Sequence, residues 1–257
     1  MQRRVITGSV QAQIRMTTRQ IEDLMPLITM PMFTLVFMSI VDFLGRRDLT
    51  GYAVVAPLLL TIGQMGIRVA GDMVTRERNF QTLELIIATP APFVLIAFVR
   101  ILLLSSLSLL GFVESWLLAH LIFDASITVH HPWLMAATLV LTVAAASGVA
   151  LIAAALLTFT RSNRNVQNSA MYPLFLISGV LAPVSVLPDW LEPLSRISFL
   201  YWSANLMRDS LVAGEPSDVG MRLLAITALG AVFGLLGALI LDRMLHHLKR
   251  EGTLGLA

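Results

Sequence analysis

The sequence predicts an all-α integral membrane protein with six transmembrane helices. Three observations carry that reading. Hydrophobic residues make up 56% of the 257 and charged residues 13%, against about 25% charged in a soluble domain. Mean hydropathy is +0.79. The apolar residues also fall in six separate runs rather than in short alternating segments, which excludes a porin-like barrel. With 18 basic and 16 acidic side chains, the chain cannot clothe a water-facing surface of this size. Disorder is excluded as well, because disordered chains are polar and charged. The absence of cysteine removes disulfide frameworks, thiol nucleophiles, iron–sulfur clusters and cysteine-based zinc sites.

The elements follow in order. Arg3 and Arg4 open the chain, but no apolar core of a cleavable signal peptide follows them. Within residues 5–22, Ile6, Val10, Ile14 and Ile21 recur at helical spacing, with Arg15, Arg19 and Gln20 elsewhere on the turn. This predicts an amphipathic helix over 1–23 lying in the headgroup layer; the plainer alternative is a leader into the first span. A spanning helix needs about 20 mostly apolar residues. The six candidates are Leu24–Val41, Tyr52–Ala70, Phe93–Leu121, Trp133–Phe159, Met171–Leu187 and Leu223–Leu241. Proline interrupts the first, at Pro26 and Pro31, and the fifth, at Pro173 and Pro183. With both termini placed in the cytoplasm, thirteen of the eighteen basic residues fall inside or at the inner boundary, as the positive-inside rule requires. Trp190, Tyr201 and Trp202 then lie in the outer aromatic belt. No internal repeat or soluble linker is visible, so residues 1–257 form one transmembrane domain.

Two loops carry the functional information. The inner one runs from Asp72, a candidate N-cap, through Arg76-Glu77-Arg78 and Thr82-Leu83-Glu84 to Thr89-Pro90 and Pro92. Met73, Phe80, Leu83 and Ile87 can share one face, and the prolines stop the helix. An amphipathic cytoplasmic helix with a charged tip is either a solvated loop that sets topology or a docking element for a partner. The outer loop holds Pro173, Ser178-Gly179-Val180, Pro183, Leu187-Pro188-Asp189-Trp190-Leu191, Tyr201 and Arg208. Gly179 and Pro183 break the fifth span.

These two runs, in the right loops and order, resemble the signatures of ABC-2 type exporter permeases. One departure is Gln81, where the family usually has glycine; another is Phe199, where it often has proline. The resemblance implies that residues 72–90 are a coupling helix seated in a groove of a nucleotide-binding subunit. Arg76, Glu77, Arg78, Thr82 and Glu84 would dock that ATPase. Residues 183–213 would form outer re-entrant helices near 189–197 and 202–213, with Gly179, Pro183, Pro188 and Trp190 shaping an outer gate. It further implies two copies of the ATPase subunit and a second permease copy or homologue. Surrounding lipid, the plasma membrane of a prokaryote and outward movement of an amphipathic drug or natural product, lipid or lipid-linked saccharide complete the picture. The ATP must be bound elsewhere. Lys249 is the only lysine and lies between Leu248 and Arg250, so the chain has no phosphate-cradling Gly-Lys-Ser/Thr loop. ATP and magnesium are therefore expected on the partner, with no cofactor on this chain and no catalytic residue.

Single residues add less. Glu114 lies well inside the third span, where a carboxylate costs about 2.5–3.5 kcal/mol on insertion scales; it is either a cavity residue or an interfacial carboxylate. Arg100, early in the same span, can snorkel inward. His120, His130 and His131 do not make a convincing metal set, and no metal is expected. Gly230 and Gly234 form a GxxxG suited to close helix packing. The spread-out arginines suit a membrane protein better than a nucleic-acid binder. Two rival readings stand beside the exporter. An ATP-independent carrier or channel would want acidic residues near the bilayer midplane. An intramembrane enzyme would want a buried Ser/His pair, paired carboxylates or a metal cluster.

Overall fold

The computed structural model describes residues 8, 10, 13, 25–46, 49–79, 93–124, 127–157, 172–181, 183, 184 and 187–251, with the backbone alone at 25, 26, 72–79, 157 and 247–251. The regular elements among them are helical. They are α1 Met25–Phe43, α2 Thr50–Asn79, α3 Phe93–Leu107, α4 Leu110–Phe123, α5 Pro132–Leu157, the short α6 over 172–177, a 3-10 turn Asp189–Leu191, α7 Glu192–Ile197, α8 Phe199–Ser210 and α9 Val219–Glu251. Of the expected interfacial helix, only Gly8, Val10 and Gln13 lie within the described residues, and all three are helical.

Among the described residues, four stretches are long and apolar enough to cross a bilayer: Thr50–Gly71, Phe93–Phe123, Pro132–Leu156 and Val219–His246. The apolar part of α1, Leu27–Phe43, is shorter, and the described helix of the fifth run has only the residues 172–177. These two are the proline-bearing runs. Both end in the same way. Gly45, at φ 64°, and Gly179, at φ 71°, occupy left-handed positions. At the first, Arg46 N donates to Val41 O and Gly45 N to Asp42 O. At the second, Val180 N donates to Phe175 O and Gly179 N to Leu176 O. That pair of bonds is the Schellman motif, which turns the chain off the helix axis and satisfies terminal carbonyls.

The third run is not one uninterrupted helix, as its composition suggests. It turns at Ser108–Leu109, between α3 and α4. The cause is the cluster of hydroxyls just before the turn. Ser106 Oγ donates to Leu102 O at 2.6 Å, and Ser108 Oγ donates to Ser105 O. Such back-bonding competes with the helix ladder and bends it. A second difference lies at Asp72. Residues 72–79, the first part of the expected 72–90 helix, continue α2 without a break, so no new helix starts there. Arg100 is enclosed by protein, at 8% exposure.

In a bilayer, association of helices depends on close packing and interhelical hydrogen bonds, because lipid is as apolar as leucine. The pattern of contacts follows that rule. The α2 span is the centre of the bundle, with 78% of it buried, whereas 17% of the α9 span is buried. α9 nevertheless lies tightly on α5 through small residues. A Cβ at Gly230 would stand 2.8 Å from Ala145 Cα, one at Gly148 would stand 2.8 Å from Gly230 O, and one at Gly237 would stand 2.8 Å from Ile152 N. The GxxxG of α9 is therefore spent on α5 of the same chain. α1 shows an outward stripe at four-residue spacing, Ile28, Met32, Val36 and Ile40, all exposed.

α1 is joined to α4 by a polar pair. Thr34 Oγ1 and Ser115 Oγ lie 2.9 Å apart and both residues are fully buried. Such bonds average about 0.6 kcal/mol in membrane-protein cycles, with a maximum of about 1.7. Thr34→Val, Ser115→Ala and the double variant should therefore show a coupling of that size in reversible unfolding from bicelles. A double variant whose loss equals the sum of the singles would remove this bond from the stabilising set.

Candidate functional site

Tyr52, Trp116, Trp133, Trp190, Tyr201 and Trp202 all stand near the end of the bundle where α1 gives way to α2 and α4 to α5, or on the short elements between α6 and α9. The chain builds a compact cap here. Pro188, with φ −56° and ψ 142°, enters the 3-10 turn, and Leu191 N donates to its carbonyl at 2.8 Å. Trp190 on that turn is 72% exposed. Ser198 then caps α8: its φ/ψ of −84° and 127° is extended, and its hydroxyl accepts from Leu200 N at 3.3 Å. α8 thus begins at Phe199, three residues before the expected start. The family's proline would fall at the first helical position, where the ring is well tolerated; phenylalanine there leaves the helix start intact because the cap comes from Ser198.

α8 is fastened to α5 and to the loop before it. His130 N and His131 N both donate to Ser210 O, at 3.0 and 3.1 Å. Thr142 Oγ1 donates to Ser203 Oγ at 2.8 Å inside the core. His131 Nε2 lies 3.0 Å from Gly214 O, and His130 Nε2 lies 2.9 Å from Thr128 Oγ1. His120 stacks on Trp116 with centroids 5.8 Å apart. Among the described residues no group of three or more such side chains could hold a metal ion. Arg222, at the start of α9, pairs with Asp209 at 2.5 Å and ties the far end of α8 to α9.

The centre of the cap is Arg208. One of its amino groups, Nη2, donates to Gly179 O and to Val180 O, both at 2.9 Å. These are the carbonyls just past the Schellman turn that ends α6. The guanidinium carbon lies 3.6 Å from the centroid of the Tyr52 ring, at the start of α2. A cation over an aromatic face is attracted by the ring quadrupole. Burial lowers the guanidinium pKa to about 10, and Tyr52 and Asp209 oppose that shift, so the group remains a cation at neutral pH. A second link joins the same break to the start of α8: Ser178 Oγ lies 2.8 Å from Ser198 Oγ.

The structure thus brings Gly179 together with Arg208, Tyr52, Ser178 and Ser198. Pro188 and Trp190 sit together on the 3-10 turn, and Pro183 is half-buried in the chain between them. Arg76, Glu77 and Arg78 lie on the helical extension of α2, their side chains outside the described residues. Thr82 and Glu84 lie outside the described residues altogether. Glu114 is half-buried on α4, and its Oε2 is enclosed without a hydrogen-bond partner. It is not among the side chains, Phe112, Val113, Trp116, Ile127 and Val129, that line the neighbouring cavity of about 370 Å³.

Sequence reasoning placed Arg208 at the end of a motif and gave it no role, and it did not single out Tyr52. The available signal was a cation in the last turn of a short helix between apolar runs, where an isolated charge is costly and needs partners. Nothing local marks Tyr52, whose importance arises only from the fold.

The ABC-2 type transporter family model matches residues 6–212. No curated protein matches the chain. The family match takes in α1 through α8 with Tyr52, Gly179, Val180 and Arg208, and the chain belongs to the ABC-2 type transporter family, a family of multi-pass membrane components of transporters.

Proposed function

We propose that the chain is the permease subunit of an ATP-driven exporter. It moves an amphipathic substrate outward by alternating access, in the plasma membrane of a prokaryote and with both termini cytoplasmic. Two copies, or one copy and a homologue, enclose the path, and two separate ATPase subunits hold ATP and magnesium. Drugs or natural products, lipids and lipid-linked saccharides are the fitting substrate classes.

The observation that carries this reading is the length of α2. It runs unbroken for 30 residues from Thr50 to Asn79, while its apolar span ends at Gly71. At about 1.5 Å per residue it is roughly 45 Å long. One end carries Arg76, Glu77 and Arg78; the other carries Tyr52 beneath Arg208. A single continuous helix of that kind, with Pro57 near its Tyr52 end, can carry a push from a docked ATPase to the far cap as a rigid-body movement. In this reading Thr82 and Glu84 complete the docking surface, and Gly179, Pro183, Pro188 and Trp190 shape the outer gate. Between α3, α5 and α9 lies an apolar groove of about 680 Å³, lined in part by Gly148, Gly230 and Gly234, whose chemistry would suit a lipid-like substrate.

The test is reconstitution with the ATPase subunit and a panel of amphipaths. Expected is substrate-stimulated ATP hydrolysis with flux that requires ATP. The Glu77→Ala/Arg78→Ala double variant should lower co-purification of the ATPase, or leave hydrolysis that amphipaths no longer stimulate, by about tenfold, equivalent to 1.4 kcal/mol. Flux that follows an ion gradient without ATP would overturn the reading. Unchanged assembly and unchanged stimulation in the double variant would remove these two residues from docking.

A further inference from the structure

We propose that Arg208 is the latch of this gate: it holds the Gly179–Val180 break against the start of α2, and its release opens the cap. The inference deepens the gate reading above and rests on it. Besides its ion pair to α9 and the Ser178–Ser198 pair, α8 has two kinds of polar attachment. Towards α5 it is held by Ser210 O, which accepts from two backbone amides, and by the buried Thr142–Ser203 pair. Those contacts involve backbone and short side chains, and breaking them means moving a helix. Towards α2 and the break, Arg208 reaches across with a long stem to two carbonyls at 2.9 Å and a ring at 3.6 Å. A joint made by one flexible side chain can part while every helix stays intact.

The partners suit reversible contact. Two carbonyls and an aromatic face are neutral groups that water can replace at little cost, unlike a carboxylate in a buried ion pair. The shut arrangement also leaves Arg208 Nε enclosed with no hydrogen-bond partner, and an unpaired buried donor disfavours the state that contains it. The latch is closed but not fully satisfied, so hydration of the opened cap offsets its release. The Ser178–Ser198 pair stays with the break and α8 and sets where the break returns.

The chain has no cysteine, so a single introduced thiol reports alone. Val180 is fully buried and Trp190 is 72% exposed. Val180→Cys and Trp190→Cys are labelled with a polar maleimide in membranes opened by freeze–thaw, once with ADP and once with MgATP and the ATPase subunit present. Trp190→Cys should label quickly throughout. Val180→Cys should be protected with ADP. Adding Arg208→Ala should raise its labelling at least tenfold. Arg208→Lys should fall between, because an ammonium cannot match the planar guanidinium across two carbonyls and a ring. Tyr52→Leu serves in place of Arg208→Ala should the latter not accumulate as monodisperse protein. Turnover should expose the Val180→Cys thiol in the Arg208 background. Protection that survives Arg208→Ala or Tyr52→Leu while turnover still exposes the thiol overturns the latch and leaves the gate. Exposure by the variants without exposure by turnover overturns the gate, and the latch with it.

Discussion

Replacing Gly148 by leucine is expected to give the largest loss of folded protein of any single substitution in the bundle. A Cβ at this position would lie 2.8 Å from Gly230 O and 3.0 Å from Gly234 Cα. Both are backbone atoms of α9, so no side-chain rotation can make room, and the two helices must separate along their shared face. Separation undoes the contacts at Gly230 and Gly237 as well, since these depend on the same approach to Ala145 and Ile152. Overpacking typically costs about 1–3 kcal/mol. Here the cost should reach the top of that range or exceed it, because the clash is with backbone on both sides. The measurement is the thermal midpoint of monodisperse protein in detergent. Gly220→Ala is the internal contrast. It lies in the first turn of α9 with nothing within 4 Å of its Cβ position, and alanine is favoured over glycine in a helix by up to about 1 kcal/mol. Its midpoint should hold or rise. A Gly148→Leu protein as stable as the parent would mean that α5 and α9 are not held by this approach.

The same residues show what a sequence can and cannot reveal in a membrane fold. Long apolar runs announce themselves because the bilayer admits little else, and α2, α5 and α9 fall where composition puts them. The small-residue seam was legible too, since Gly230 and Gly234 have few other uses. The turn at Ser108–Leu109 was not, because hydropathy averages over Ser106 and Ser108, whose effect is on the backbone. Asp72 was misleading for a related reason. A capping residue signals a helix start only where an earlier helix has ended, and here the helix runs on from Ile67 to Asn79. In the cap, Gly179 could be read as a break from its type alone. Its partners could not, because Tyr52 and Arg208 are far apart in sequence and meet only after α2 and α8 have packed. The hydroxyl pair Ser178–Ser198 was hidden in the same way, among serines that are common in any loop.

Gly179 supports the sharpest test of how the cap is built. Its φ of 71° lies in the left-handed region, which costs an ordinary L-residue about 1–2 kcal/mol. Asparagine tolerates that region because its short polar side chain bonds locally, whereas a β-branched residue there is a genuine outlier. Stability should therefore fall in the order glycine, asparagine, alanine, valine, with Gly179→Val losing up to about 3 kcal/mol. Equal midpoints across the three variants would show that the left-handed conformation is not the constraint. The consequence for transport should be larger than the loss of stability. Gly179 and Val180 supply both carbonyls that accept from Arg208, and their direction is set by the turn that Gly179 makes. When valine forces the turn open, those carbonyls point elsewhere, and the Tyr52 ring alone remains under the cation. Gly179→Val should then lose coupled flux in reconstituted vesicles at temperatures where the protein is still folded, while Gly179→Asn retains it. The contrast between these two variants separates the aim of the carbonyls from the stability of the helix end, because both remove the glycine and only one removes the turn.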